Sequence, residues 1–407
     1  MKIWIVSDGE PLPIDGEDIR LRRMGNLARI LSERGHEVIW FSSNFEHYTK
    51  KFRSDSDKVI NINENYKIVL LSTKGYKKNV SLNRYLHFKT LASKFKILSS
   101  ELSEPDIVVS TMAPIEIANE IKVFSKNKKV KYVIDIRDLW PDIYYEVTPK
   151  FIHFAVKFLI KKTKRDLSLV LQNSEGIVGV TDKFLEYGLN VADIKKRDTD
   201  TVFHTAYPSY APKAVFKTYW QDYGLKEEDF IVSFVGNFGK QFDLETVFDA
   251  IDRFKDSNIK FVLCGLGEKY EFYFNKYKKN ENVILPGWIG KEEISTLLIN
   301  SDIGIAPYIN SKNYRLNLPN KFGEYLSSKL PILVSVNGMM ENVLTQFECG
   351  YKYDDGLDLY NKITYLIKNK EILKKQKENA FNLYEDQFKV EKVYNGFADY
   401  LENHVNK

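Results

Sequence analysis

Residues 317–326, NLPNKFGEYL, place Lys321 and Glu324 just behind a proline. Asn-Leu-Pro suits the start of a helix, because proline is tolerated in the first turn, where its missing N–H is not needed. The free N–H groups of such a terminus form an anion site. Lys321 would add a positive charge for a diphosphate, and Glu324 could accept hydrogen bonds from two vicinal ribose hydroxyls. The competing reading is an acidic residue favoured near a helix N-terminus by the helix dipole. A second phosphate-type segment is Gly236-Asn237-Phe238-Gly239-Lys240, which follows a predicted strand and precedes a helix. Its glycines let backbone approach a diphosphate, although a lone Gly-x-x-Gly also fits a tight turn. In the first half, Asp135 leads into Ile136-Arg137-Asp138-Leu139-Trp140-Pro141-Asp142 at the end of another predicted strand. Three acids around an arginine are expensive to bury without a purpose or a partner. The segment is either a network in which Arg137 and an aspartate pin the loop, or a reactive site.

Other chemistries are poorly supplied. No His, Cys or carboxylate cluster has metal-ligand spacing, and the two cysteines, Cys264 and Cys349, cannot build a disulfide framework. No Gly-x-Gly-x-x-Gly follows the first strand, which disfavours a nicotinamide enzyme. His36, in Gly35-His36-Glu37-Val38, closes a helix ahead of a strand and reads as a cap. His47 is the only plausible titrating group of residues 42–53, SSNFEHYTKKFR.

Strand ends and helix starts must position these groups, and the chain supplies them in regular alternation. Residues 2–6, a glycine-containing loop, an arginine-rich helical pattern over 19–34 and residues 37–41 read as strand, helix, strand. Further strands are predicted at 67–71, 107–110, 131–136 and 176–180. After an irregular stretch, 191–213, the rhythm restarts, with strands at 230–235, 260–264, 283–285, 303–306 and 332–335. This alternation predicts two doubly wound, Rossmann-like α/β domains, with ligands beyond the carboxyl ends of the strands, in a cleft where two sheets face each other. A length of 407 residues suits two large domains, here 1–205 and 206–385, followed by a helix at 386–407. Composition agrees with a soluble globular chain, 43% hydrophobic and 28% charged. The first apolar run, in MKIWIVSDGE, is too short for a signal-peptide core or a membrane span, and a reducing cytoplasm is the expected compartment.

Residues 317–326 resemble the retaining glycosyltransferases of family 4, in the bacterial polysaccharide subgroup that carries Leu-Pro-Asn-Lys-x-x-Glu-Tyr-Leu. Matches spread along nearly the whole chain. Glu324 matches the family's ribose-binding glutamate, while Leu316 stands where many members have another glutamate. Residues 236–240 resemble the phosphate loop; Asn237 occupies the position of a usual arginine, which leaves Lys240 as the cation. Cys264-Gly265-Leu266-Gly267 and Pro286-Gly287-Trp288-Ile289 resemble the later strand-end loops, the second of them the nucleobase pocket. Residues 137–141 are similar to a subgroup segment facing the donor, and residues 8–18, with Gly9 and Gly16 and leading into Arg20, resemble the glycine-containing loop at the cleft.

The resemblance implies the GT-B fold, with the final helix crossing back to an acceptor-binding first domain. It implies a nucleotide-sugar donor, UDP preferred, whose phosphates and base meet Gly236, Asn237, Gly239, Lys240, Gly265, Trp288 and Ile289. Asn320, Lys321 and Glu324 complete that donor site, and Gly16, Arg20, His47, Arg137 and Asp138 would bind a lipid-linked or saccharide acceptor. Asp138 would position or deprotonate the acceptor hydroxyl, while Lys240, Lys321 and helix N-termini stabilise the leaving diphosphate. No metal or other cofactor is implied.

The net charge of +5 is uneven: residues 1–200 hold 34 Lys and Arg against 27 Asp and Glu, the remainder 26 against 28. Residues 151–165, FIHFAVKFLIKKTKR, combine apolar residues at helical spacing with Lys157, Lys161, Lys162, Lys164 and Arg165 and no acid. Such a helix can lie on an anionic membrane surface; an ordinary domain helix with a solvated basic face has the same pattern. Residues 74–96 add Lys77, Lys78, Arg84, Lys89 and Lys94 with Tyr85 and Phe88, a candidate docking face for a lipid-diphosphate acceptor on the inner face of the cell membrane. A pI of about 8.7, with no recognised binding module, argues against nucleic acid. The expected function is therefore a metal-independent hexosyl- or N-acetylhexosaminyltransferase of O-antigen, capsule or lipopolysaccharide biosynthesis. Two other readings keep the fold: a nucleotide-sugar 2-epimerase, which needs acid/base carboxylates and histidines and no acceptor, and a non-catalytic partner subunit.

Overall fold

The computed structural model describes residues 1–16, 19–226, 228–255 and 258–405, except the side chain of Val147. Asp18, at the end of the loop 8–18, and the last two residues of the expected 386–407 helix lie outside the described residues. The chain divides into two compact units, Met1–His204 with Val393–Lys407, and Thr205–Lys392.

The first unit is built on one sheet of eight strands: β1 (Lys2–Val6), β2 (Glu37–Ser43), β3 (Lys58–Asn61), β4 (Tyr66–Leu71), β5 (Ile107–Thr111), β6 (Lys131–Ile136), β7 (Gly176–Gly179) and β8 (Thr201–Val202). Their order is β3-β4-β2-β1-β5-β6-β7-β8. Every neighbouring pair is parallel except β3 on β4, at the edge. The second unit has β9 (Phe230–Val235), β10 (Ile259–Cys264), β11 (Val283–Ile284), β12 (Ile303–Ala306), β13 (Ile332–Val334) and β14 (Gly350–Lys352). These are parallel throughout, in the order β11-β10-β9-β12-β13-β14. Both sheets are doubly wound, and strand order reverses between β1 and β5 in one and between β9 and β12 in the other.

The apolar runs read as strands because helices cover both faces of a parallel sheet and remove the usual alternation. In β1, KIWIV, everything from Ile3 to Val6 is buried, and Trp4 packs on Phe41 at 5.0 Å and on Phe124 at 5.2 Å. Three strands escape a reading of periodicity. β3 is a largely exposed edge strand, β8 has two residues inside the stretch expected to be irregular, and β14 has three. Such short edge pieces carry too few residues for a pattern and form because a neighbouring strand offers hydrogen bonds. The helical pattern over 19–34 narrows to Arg23–Glu33.

The end of the chain packs with its beginning. In the helix Val390–Val405, Phe397 is fully buried and stacks on Phe203 at 4.8 Å. Arg34 pairs with Asp399 and Glu402, and His36 Nε2 lies 2.7 Å from Glu402 while its Nδ1 lies 3.3 Å from the Met1 amine. His36 is thus a structural tie. Among the described residues no helix is long and apolar enough to cross a membrane. Phe397→Ala should cost about 3–5 kcal/mol, the range for deleting a buried aromatic ring; urea unfolding of the full chain measures it, and a loss under about 1 kcal/mol would mean that the final helix is not part of the first core.

Candidate functional site

At the reversal of the first sheet, the carboxyl ends of β1, β5 and β6 border a cavity of about 920 Å³. Asp8 follows β1, Thr111 ends β5 with Met112 to Glu116 after it, and Asp135 near the end of β6 is followed by Arg137 and Asp138. Asp135 is fully buried between two guanidinium groups. Arg23 donates to it from Nε at 2.9 Å and from Nη2 at 2.7 Å, and Arg137 Nε donates at 2.7 Å. Burial alone would raise the Asp135 carboxyl; Arg23 and Arg137 outweigh it and hold it below its ordinary value. Arg137 also pairs with Glu10, which accepts from the Met24 N–H at 3.0 Å, the start of the helix Arg23–Glu33. Arg137 Nη2 is buried with no hydrogen-bond partner among the described residues, so a donor is left over at the cavity wall.

The three acids of this segment separate by role. Asp135 belongs to the arginine network, Asp142 pairs with Lys164 at 2.8 Å, and Asp138 has no ion pair among the described residues. Asp138 is exposed to the cavity, so water reaches its carboxylate; the protein packed around it still removes part of its hydration and raises the carboxyl above its ordinary value, against the pull of Arg137 and Arg84. His47 also lines the cavity, its Nδ1 2.6 Å from the Tyr76 hydroxyl, and burial with the repulsion of Lys50 and Arg84 lowers its pKa. The structure therefore brings His47, Arg137 and Asp138 to one cavity. Gly16, which is exposed, and Arg20, which is half-buried, do not line it.

Two groups escape the sequence reading: Glu116 on the cavity wall, and His87, which meets Asp8 of that wall. His87, fully buried, sits with Nε2 at 2.9 Å from Asp8, which also accepts from the Ser43 hydroxyl at 2.6 Å. Burial would raise Asp8, but the hydrogen bond and charge of His87 and the bonds from Ser43 bring it down to about 2. Glu116, in the first turn of the helix Ile115–Lys128, has its carboxyl raised by burial, against its own backbone N–H and Lys89. Arg84 reaches over the Trp140 ring at 5.9 Å. A carboxylate soon after a strand at the reversal was the available signal for Glu116; His87, inside a long helix, offered none.

In the second unit the helix Asn320–Ser327 is drawn to the sheet reversal by Tyr325. Its buried hydroxyl accepts from the Val235 N–H at 3.2 Å and donates to the Ile305 carbonyl at 3.1 Å, the ends of β9 and β12. Gly304 makes room, since a Cβ there would lie 2.6 Å from the Tyr325 ring. Lys321 is buried in the first turn, its ammonium 5.2 Å from the Phe234 ring and 5.6 Å from those of Phe242 and Tyr325. A Cβ on Gly236 would meet that ammonium at 3.2 Å, so the end of β9 and the start of the helix share one corner. Glu324 is buried one turn on and accepts from the Tyr207 hydroxyl at 2.6 Å, and Asn320 is exposed at the helix start.

The loop after β9 is locked to its neighbours by backbone. Gly265 has φ +132°, and a Cβ there would strike the Gly236 carbonyl at 1.9 Å; a Cβ on Gly267 would strike the Asn237 side chain at 2.3 Å. Phe238 N–H donates to Leu266 at 2.9 Å, and Gly265 N–H donates to Gly287 at 2.6 Å. Gly265 is therefore required by packing. Gly239 sits between Gln241 and the Asn237 side chain, and Lys240 is exposed with its ammonium 3.8 Å from Glu268. Trp288 is 75% exposed, whereas the Ile289 side chain is buried in a cluster with Phe216 and Trp220 and could meet a ligand only through backbone. Among the described residues no group of three or more His, Cys, Asp or Glu is placed to hold a metal ion.

Residues 215–383, within the second unit, match the family model described as glycosyl transferases group 1. Several solved structures are similar over the whole chain. Sucrose-phosphate synthase from Thermosynechococcus elongatus is 14% identical, with 99% of this chain and 98% of that chain covered and a TM-score of 0.72. Anabaena HepE in complex with UDP is 12% identical, covering 99% and 100%, with a TM-score of 0.65. WaaG, a glycosyltransferase involved in lipopolysaccharide biosynthesis, is 13% identical, covering 98% and 99%, with a TM-score of 0.64. At these identities the likeness is one of fold: the chain has the GT-B fold, two Rossmann-like α/β domains.

The Asp8–His87 pair gives the first unit a pH signature. The folded carboxyl titrates at about 2 and an unfolded aspartate at about 3.9, so between those values the unfolded chain binds more protons. The stabilisation is present above about pH 4 and is lost as pH falls toward 2; it amounts to about 2 kcal/mol. Urea unfolding at about pH 5 and about pH 2.5 should show Asp8→Asn losing that much less than the native chain on acidification; equal losses would dissolve the pairing.

Proposed function

We propose that the chain is a retaining glycosyltransferase that moves a hexosyl or N-acetylhexosaminyl group from a nucleotide-diphosphate sugar, UDP preferred, to a lipid-linked or saccharide acceptor of a bacterial surface polysaccharide, without a metal ion. The observation that carries this reading is the corner where buried Lys321 meets Gly236, with Glu324 one helical turn on. The group 1 match over 215–383 supports it, as do UDP in the HepE complex and the lipopolysaccharide role of WaaG.

In this proposal the diphosphate lies over Gly236 and the start of the helix, where negative charge growing on the leaving oxygen meets the fixed Lys321 ammonium and free N–H groups. Held against three aromatic rings, that ammonium needs little reorganisation as charge develops. Lys240 is the second cation, Trp288 a free face for the base, and Glu324, oriented by Tyr207, accepts from the ribose hydroxyls. The acceptor enters the cavity of the first unit. Its oxygen bonds to the anomeric carbon as the bond to the diphosphate breaks, and Asp138 steers or takes the hydroxyl proton. A raised carboxyl is the stronger base near neutral pH.

A thermal-shift titration with UDP, GDP, dTDP and CDP, with and without EDTA, is the direct test. A nucleotide at 100 times its Kd adds roughly 2.7 kcal/mol, and one of the four should do so undiminished by EDTA. Lys321→Ala and Glu324→Gln should each weaken that binding about tenfold or more, the worth of a charge-assisted hydrogen bond. A folded chain that answers to none of them defeats the donor reading and favours the non-catalytic subunit; an epimer formed from donor alone favours the epimerase.

Asp138 makes a separate prediction for the transfer reaction. A base must be ionised, so kcat/KM should fall as pH drops through a pKa above the ordinary 3.9 or so. Asp138→Asn should remove that limb and about 100-fold or more of the rate; a variant with an unchanged profile would exclude Asp138 as the base.

A further inference from the structure

The helix His153–Gln172 has two apolar faces. One is spent on the fold, with Val156, Ile160, Leu167, Val170 and Leu171 buried. The other, with the turn before it, holds Phe151, Phe154 and Phe158 at 85%, 76% and 64% exposure, the rings of Phe154 and Phe158 5.1 Å apart. Around them stand Lys150, Lys157, Lys161 and Lys162, which make no ion pair among the described residues, and no acid occurs between Glu146 and Asp166. Leu159 and Lys162 of the same helix line the first-unit cavity, together with Val80, Leu82 and Tyr85, which are themselves 56%, 70% and 43% exposed. The apolar face is therefore continuous with the lining of the cavity.

We propose that this face docks on the surface of an anionic lipid bilayer, the phenylalanines entering the headgroup boundary and the lysines meeting the phosphates. Aromatic rings flanked by long basic side chains suit that boundary, because lysine stems run along apolar surface while their ammonium groups stay among the headgroups. Charge chooses the occupant. A second copy seated on the same face would set basic residues against basic residues, since a two-fold contact brings the same patch of both copies together and this patch holds no acid. An anionic bilayer supplies both apolar depth and opposite charge, and it sets lipid beside the residues lining the cavity. A lipid link on the acceptor is the step that rests on the transferase reading; the bilayer contact stands without it.

The test is co-sedimentation of the full, ligand-free chain with vesicles of phosphatidylcholine, with and without phosphatidylglycerol. Binding should require phosphatidylglycerol and weaken with salt. It should fall about tenfold or more in Phe154→Ser/Phe158→Ser and about fivefold for each of Lys157→Gln and Lys161→Gln. All four side chains are exposed, so the variants should melt like the native chain. Three results would overturn the proposal: native protein that ignores both vesicles, a double phenylalanine variant that binds as well as native, or a dimer in sedimentation velocity that the same variant abolishes. Nucleotide melts on the same samples separate the two readings. A chain that answers to UDP but to neither vesicle sinks this inference alone, and one that binds phosphatidylglycerol vesicles but no nucleotide keeps it and sinks the donor site.

Discussion

In a doubly wound sheet, the two strands beside the first one lead into crossovers that leave in opposite directions. The loops at their carboxyl ends diverge, and the space between them is filled by no strand side chain. Both sheets here are built around that divergence, at β1/β5 and at β9/β12. Polar groups collect there because elsewhere both faces of the sheet are covered, and an unpaired charge among covered strands is costly. What each unit does with the gap follows from which side chains reach it.

The first unit fills part of its gap with charge that cancels. Asp135 cannot be buried alone, so Arg23 and Arg137 flank it, and Glu10, paired with Arg137, balances the positive charge that remains. The pairing ties β6 to the start of the first helix and leaves Asp138 and one Arg137 donor over. The arginine pins the loop through Asp135, and among the described residues the carboxylate next to it, at the cavity, makes no ion pair.

The second unit closes its gap with packing. Tyr325 penetrates to the end of β12 only because Gly304 has no side chain, and its hydroxyl satisfies one N–H and one carbonyl that would otherwise be buried without partners. That insertion sets the helix start, and with it the buried Lys321 beside Gly236. Gly265 and Gly267 serve the same close fit one loop away, where backbone lies against backbone.

The sequence by itself determined the longer strands, the two α/β domains and a helix start beside Pro319, because these rest on local patterns: apolar runs, turn residues and a proline that cannot sit deeper in a helix. It also marked the segments 135–142 and 236–240 at strand ends and 317–326 at a helix start, whose residue types are chemically unusual there. Only the tertiary structure decided which members of each segment are partnered. Asp135, Asp138 and Asp142 look alike in sequence, and the difference lies in Arg23 and Lys164, far along the chain. His87 becomes Asp8's partner because the helix Leu82–Glu101 packs there, and Ile289 turns inward to Trp220 while Trp288 beside it turns out. The same holds for residues 151–165: a helical pattern cannot say which of two apolar stripes meets the core, since burial is a property of the surface a helix is laid against.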